Sequence, residues 1–303
     1  GPIHGMVLID KPLGPTSFKV ARHVQRTLDA GKVGHGGTLD PLASGLLIVL
    51  LGEATKLTPW VQGRDKRYVA TVAFGRSTDT LDRGGQTVEE APVPAGLVTD
   101  KLEAVIARFV GDHMQRPPVY SALKVDGRSH MSRARAGEEV VVDPRPSRCH
   151  AIKLIKLDDT SATLEVHVGS GYYIRSLARD LGDALGVPSH LAALRRTTVG
   201  PWKVDDAVTL EHVTPDELVP LANALPDMPI LTLSASQAQA LGQGKRVTHG
   251  QAADEAMAIW AEITAPVLMI DGAASPAKGF IDEATRAERR RVLADLEHTE
   301  LDD

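Results

Sequence analysis

The chain has 303 residues, 43% of them hydrophobic and 24% charged, with a formal net charge of −5. That length suits two domains better than one core, and that composition excludes a mostly disordered chain. No apolar run approaches the roughly 18 residues a membrane helix needs. The single cysteine, Cys149, rules out an internal disulfide and argues against a structural zinc site.

Taken in order, Val7 to Asp10 reads as a strand stopped by Pro12 and Gly14. Ser17 to Ala30 reads as a helix, with Thr16 or Ser17 as cap, apolar residues at Phe18, Ala21, Val24 and Leu28, and Gly31 as its stop. Leu46 to Leu51 is a continuously apolar, buried strand, and Tyr68 to Phe74 alternates as a half-buried one. Asp100 to Val110 reads as a helix opened by an Asp100/Glu103 capping box. Ile152 to Leu157 and Ala162 to Val168 flank Asp158-Asp159 as a hairpin, and Arg175 to Leu185 is a helix ended by Gly186. Hairpins with interspersed helices point to an α+β fold. Short strand-like runs follow at Pro229 to Leu233, Val267 to Asp271, Gly279 to Asp282 and Arg291 to Leu293, so a small β-rich domain is expected at the C-terminal side. The expected division is 3–228 for the main domain, 229–296 for the small one and 297–303 for an acidic tail. A Pro- and Arg-rich insertion is expected over about 115–153, with eight basic residues against four acids.

Charge is unevenly spread. Residues 1–203 carry 27 Lys and Arg against 21 Asp and Glu, while 204–303 carry 7 against 18. A basic first part suits a polyanion partner, although drift between two domains yields the same numbers. No charged segment followed by an apolar run opens the chain, so no secretory signal is visible, and the single cysteine makes a cytoplasmic address the default expectation.

The densest chemical signal is Gly34-His35-Gly36-Gly37-Thr38-Leu39-Asp40-Pro41-Leu42-Ala43-Ser44-Gly45. Glycines and a proline around His35 and Asp40 describe a tight loop, and Pro41 restricts Asp40 to extended angles. A carboxylate held there suits a nucleophile, a base or a metal ligand; the same spacing also describes a turn in which Asp40 bonds its own backbone. His35 and Asp40 lack metal-ligand spacing, and Asp79 and Asp82 read as a solvated turn rather than a cation loop, so no metal is expected. With no Walker motif and no Gly-x-Gly-x-x-Gly, no nucleotide cofactor is expected either.

This loop resembles the catalytic motif of the TruB family of tRNA pseudouridine synthases. Further segments resemble that family's motifs in the same order: Val7-Leu8-Ile9-Asp10-Lys11-Pro12, Asp65-Lys66-Arg67-Tyr68, Pro117 to Lys124, Gly171-Tyr172-Tyr173-Ile174-Arg175 and Leu194-Arg195-Arg196. The resemblance implies a mixed, largely antiparallel catalytic sheet with flanking helices and a small PUA-like C-terminal domain. It implies conversion of uridine 55 in the tRNA T-loop to pseudouridine, an isomerisation that needs no cofactor. Asp40 would then be the catalytic carboxylate, Arg175 its charge partner, and Tyr68 the ring packed on the target base. His35 would fill the stack vacated by the flipped base, Tyr173 would support the pocket, and Leu194 would pack on the base or the catalytic loop. Lys11, Lys124, Arg195 and Arg196 would join Lys19, Arg22, Arg26, Arg128, Arg133 and Arg135 along the RNA backbone.

The partner implied is the T-arm of tRNA, with no membrane and no obligate protein partner, for a monomeric enzyme. Two other readings share the residues: a guide-RNA-dependent synthase and a non-catalytic tRNA-folding module. Within the motifs, Gly36 stands where a bulkier residue is common. Tyr172 stands where Thr is usual and would crowd the pocket edge.

Overall fold

Strand β1 (Gly5–Lys11) runs into helix α1 (Ser17–Thr27). Thr16 caps that helix, its hydroxyl accepting from the Lys19 N–H at 3.1 Å. The buried stripe is Ser17, Val20, Ala21 and Val24, continued by Leu28 beyond the helix, so Phe18 lies off it and is 67% exposed. The expected apolar face holds at Ala21, Val24 and Leu28 and fails only at Phe18, where Ser17 meets the protein instead. The computed structural model describes residues 2–119, 124–125, 128–129, 142–248, 255–260, 263–270 and 273–276.

Next come β2 (Val33–His35) and β3 (Ala43–Leu51), whose side chains are buried almost without a break. A strand covered on both faces needs such a run, and each buried Leu or Ile there contributes about 1.5–3 kcal/mol. A short helix α2 (Thr58–Gln62) precedes β4 (Lys66–Phe74), which buries Tyr68, Ala70, Val72 and Phe74 in strict alternation. A small hairpin of β5 (Arg76–Thr78) and β6 (Thr87–Glu90) follows. Helix α3 spans Leu97–Ala107, three residues ahead of the expected start. Gly96, left-handed at φ 77°, opens it in place of the Asp100/Glu103 box, because Val98 is fully buried and draws the first turn in.

Strands β7 (Gly111–Gln115), β8 (Lys124–Val125), β9 (Arg128–Ser129), β10 (Arg145–Leu157) and β11 (Ser161–Val168) come next. Gln115 and 145–153, expected inside a projecting insertion, are thus strand residues of the main sheet, paired as Arg145 with Gln115. Arg133 and Arg135 lie outside the described residues. Helix α4 (Ile174–Leu185) ends on left-handed Gly186, as its sequence signals. Then follow β12 (Ser189–Val199), β13 (Trp202–Lys203) and β14 (Val219–Pro220).

The main sheet runs β14-β1-β3-β12-β4-β11-β10-β7, with β2 beside β3 and β13 beside β12. Its pairs are antiparallel except β3 with β12, which matches the expected mixed, largely antiparallel α+β architecture. Helices α3 and α4 cover one core cluster and α1 another, and Leu194 touches both.

The C-terminal side is β-rich. It holds β15 (Ile230–Thr232), α5 (Ala235–Gly242), β16 (Val247–Thr248), β17 (Glu255–Trp260), β18 (Ile263–Ile270) and β19 (Ala273–Pro276), with the sheet order β15-β17-β18-β19-β16. Helix α5, absent from the sequence reading, opens on a capping box between Ser234 and Gln237. The runs Gly279 to Asp282 and Arg291 to Leu293, and the acidic tail, lie outside the described residues. Among the described residues no helix is long and apolar enough to cross a membrane.

Candidate active site on the central strands

Residues 36–42 form a loop between β2 and β3, and its backbone is fastened from several sides. Gly36 N–H donates to Ile48 O at 2.8 Å, and Gly14 N–H donates to Pro41 O at 2.8 Å. Ser17, at the start of α1, donates its hydroxyl to Leu39 O at 2.7 Å and accepts from Leu39 N–H at 2.8 Å. Lys11 is fully buried and donates from Nζ to Ala43 O at 2.7 Å and Pro12 O at 2.9 Å. Arg196, 3% exposed, donates from Nε to Leu46 O and from Nη2 to Gly37 O, both at 2.9 Å, and reaches Thr38 O at 3.5 Å. Buried carbonyls left unpaired are costly, so these donors hold the loop in one shape.

Two glycines allow that packing. A Cβ on Gly45, at φ +108°, would sit 2.2 Å from Arg196 O, so the close parallel approach of β3 to β12 requires glycine there. A Cβ on Gly36 would sit 2.2 Å from Val61 Cγ1. The departure at Gly36 is therefore matched by Val61 filling the space a bulkier loop residue would need.

From this loop the Asp40 side chain emerges half-exposed, and Arg175 Nε lies 3.8 Å from its Oδ2. Arg175 is the second residue of α4, and its Nη1 also donates to Thr80 O at 3.1 Å. The unfavourable placement of a cation in a first helical turn is thereby offset by a carboxylate and a carbonyl. The turn alternative is present only in the backbone, where Ala43 N–H donates to Asp40 O at 2.9 Å. Asp40 and Arg175 line a cleft with Leu42, Ala43, Asp82, Arg83, Leu191, Ala192, Ala193 and Leu194. The cleft is narrow, and a half-exposed carboxylate held beside a guanidinium at its mouth suits a nucleophile or a base.

Models of known families match this chain along most of the main sheet. The N-terminal domain of TruB family pseudouridylate synthase matches residues 25–174, and the tRNA pseudouridylate synthase B C-terminal domain matches 175–219. The chain is 43% identical over 257 residues to tRNA pseudouridine synthase B of Gluconacetobacter diazotrophicus, covering 82% of this chain and 83% of that one. It is 41% identical over 253 residues to the protein of that name from Corynebacterium diphtheriae, covering 80% and 84%. The chain belongs to the TruB family.

Among solved structures, one of a Cbf5-Nop10-Gar1 complex is similar at a TM-score of 0.65 and 25% identity, covering 93% of this chain and 86% of that one. The archaeal box H/ACA sRNP Nop10-Cbf5 complex is similar at 0.64 and 25%, covering 93% and 88%. As a TruB-family protein the chain is an RNA-modifying isomerase, with an α+β catalytic domain and a small PUA-like one.

The TruB motif residues fall into two groups. Asp40, Arg175 and Leu194 meet at the cleft. Tyr68 lies beside them in register, opposite Arg196 on β12, but its ring is buried in the core and does not line the cleft. His35, at the end of β2, is partly buried, and its Nδ1 has no hydrogen-bond partner among the described residues. Burial, and then the Arg196 charge, lowers its pKa, so the ring is neutral at neutral pH. Tyr173 caps α4 with its backbone clasped at 2.9 Å on both sides by the Gln115 carboxamide. Gln115 and Ser17 are buried polar anchors that the motifs did not single out.

Three expectations need correction. Lys11 and Arg196, expected along the RNA backbone, are buried and hold the loop instead. Arg195 pairs both Nη atoms with Asp10 at 2.9 Å, Nη1 also reaches Ser44 Oγ at 3.4 Å, and the side chain stays partly exposed. Tyr172 does not crowd the cleft; it is buried in the core with its hydroxyl 3.2 Å from His113 Nε2. Lys19 and Arg26 are exposed as expected, Arg22 is partly buried, and the Lys124 side chain lies outside the described residues. Asp79 and Asp82 accept hydrogen bonds from Gln86, Gly84 and Thr80, as the turn reading expects.

Proposed function

We propose that this chain converts uridine 55 in the T-loop of tRNA to pseudouridine, with Asp40 as the catalytic carboxylate. The observation that carries the reading is the half-exposed Asp40, 3.8 Å from Arg175, on a loop pinned by buried donors beside an apolar wall. The curated relatives at 41–43% identity are named tRNA pseudouridine synthase B, which favours a lone tRNA enzyme over a guide-dependent one. The proposed setting is the cytoplasm, the partner the tRNA T-arm, and the working form a monomer divided at about residue 228.

Uridine to pseudouridine breaks the N1–C1′ bond, turns the base and forms a C5–C1′ bond, while the C5 proton leaves and N1 gains one. No electron is gained or lost. A carboxylate at the reacting sugar or base assists such glycosidic cleavage. Arg175 orients Asp40 and Leu194 supports the base, while Tyr68, buried on the neighbouring strand, backs the site from the core. The target base must leave the T-loop, and His35, flat and neutral, suits the vacated stack. Tyr173, Lys124, Arg195, Lys19 and Arg26 are assigned to RNA binding.

The test is tritium release from a T-arm minihelix carrying 5-tritiated uridine, with the pure chain and nothing added. Release stoichiometric with the target uridine is expected. Tight binding without release would refute the catalytic reading in favour of a folding module.

A further inference from the structure

We propose that Asp65, His150 and His167 form a surface site for a zinc-class divalent metal ion that clips β4, β10 and β11 together. Each residue offers one ligand atom, and these atoms lie within 4.8 Å of one another. His150 Nε2 is 3.1 Å from Asp65 Oδ2, and the two imidazole centroids are 4.7 Å apart at a tilt of 45°. Ligand atoms on a tetrahedral zinc ion, at about 2.0–2.1 Å from the metal, stand about 3.3 Å apart. The site therefore closes by small rotations of side chains that are largely outside the core.

The backbone builds this convergence. Cys149 pairs with Val168, then a bulge sets Ala151 opposite His167, leaving His150 as the extra residue. Such a bulge re-aims a side chain, and here His150 joins His167 on the face away from buried Cys149 and Val168. Asp65 immediately precedes β4, whose Lys66 pairs with Val168, and its carbonyl accepts from Gly200 N–H at 2.8 Å.

Two imidazoles and a carboxylate are a donor set for zinc-class ions rather than calcium or magnesium, and three protein ligands leave a position open to water. Of the nearby cations, Arg148 pairs with Asp112 at 2.7 Å and Arg67 stands 3.9 Å from Glu165. The site lies on the opposite face of β11 from Val166, which packs with Tyr68 in the core, so it is separate from the Asp40 cleft. Segment 169–175, which ends in Arg175, leaves β11 from beside this clip.

The test is calorimetric titration of the chelator-stripped full chain with zinc ion alone, followed by thermal unfolding with and without zinc. One saturable site and a raised melting temperature are expected. His150→Ala and His167→Ala should each weaken binding at least tenfold while leaving the metal-free melting temperature near that of the wild type. Asp65→Asn should weaken it less. Cobalt substitution should give the intense visible absorption of a low-coordinate site. No saturable binding would overturn the proposal and leave a plain imidazole–carboxylate hydrogen bond. Binding undiminished in the double histidine variant would overturn it too, by placing the ion elsewhere.

Discussion

Replacing Arg196 with Met keeps the stem and volume but removes the guanidinium that holds the catalytic loop. Two charge-assisted bonds at 2.9 Å, to Leu46 O and Gly37 O, and a longer contact to Thr38 O are lost together. Hydrogen bonds to charged groups contribute about 1.5–3 kcal/mol each, and relief from burying the cation offsets part of the loss. The expected net destabilisation is about 2–4 kcal/mol, a large share of the 5–15 kcal/mol typical of a folded domain. Urea unfolding followed by circular dichroism should show a lower midpoint at unchanged slope. Because the freed carbonyls flank Asp40, the rate should also fall, by about a hundredfold for a shift near 1 Å. Arg196→Lys retains the charge without the planar fork and should fall between the two. A loss under about 1 kcal/mol with an unchanged single-turnover rate would refute this account of the loop.

Lys66 is buried, with Nζ donating to Gln62 O and Arg64 O, and burial followed by the Arg196 charge pushes its pKa down from 10.5 to about 8. The folded chain then holds fewer protons than the unfolded one between those values. Stability from this group should therefore rise with pH across that window, by up to about 3 kcal/mol. The stability difference between wild type and Lys66→Met, measured at pH 8 and pH 10, should grow in favour of the wild type; a constant difference would contradict the burial argument. Gly36→Thr should cost about 1–3 kcal/mol by overpacking against Val61, and adding Val61→Ala should recover most of it. Additive losses in that double-mutant cycle would show that the two sites do not touch.

Much of the fold was legible because its signals are local. The alternation of Tyr68 to Phe74, the unbroken apolar run at Leu46 to Leu51 and the stop at Gly186 each report an environment that neighbouring residues share. At the start of α3, Asp100 and Glu103 mimic a capping box, while burial of Val98 sets the first turn three residues earlier. Helix α5 is short, and its local signal is the capping pair of Ser234 and Gln237.

The site divides the same way. Asp40 stands out in a Gly-rich loop, but its pairing with Arg175 joins residues 135 positions apart and came from the family resemblance. Lys11 and Arg196 looked like surface cations because nothing near them in sequence shows that they are buried. Their acceptors lie 32 and 150–159 residues away. The Asp65, His150 and His167 cluster depends on a cross-strand bulge, which no spacing rule in a single chain reveals.

The central claim is that the Asp40 carboxylate performs the chemistry while the rest of the loop holds it in place. The most direct measurement is single-turnover tritium release from a T-arm by Asp40→Asn beside wild type and His35→Ala, with RNA affinity measured for each. The account expects Asp40→Asn to bind RNA like the wild type and release no tritium, and His35→Ala to lose far less turnover. Tritium release by Asp40→Asn at a rate near that of the wild type would contradict it.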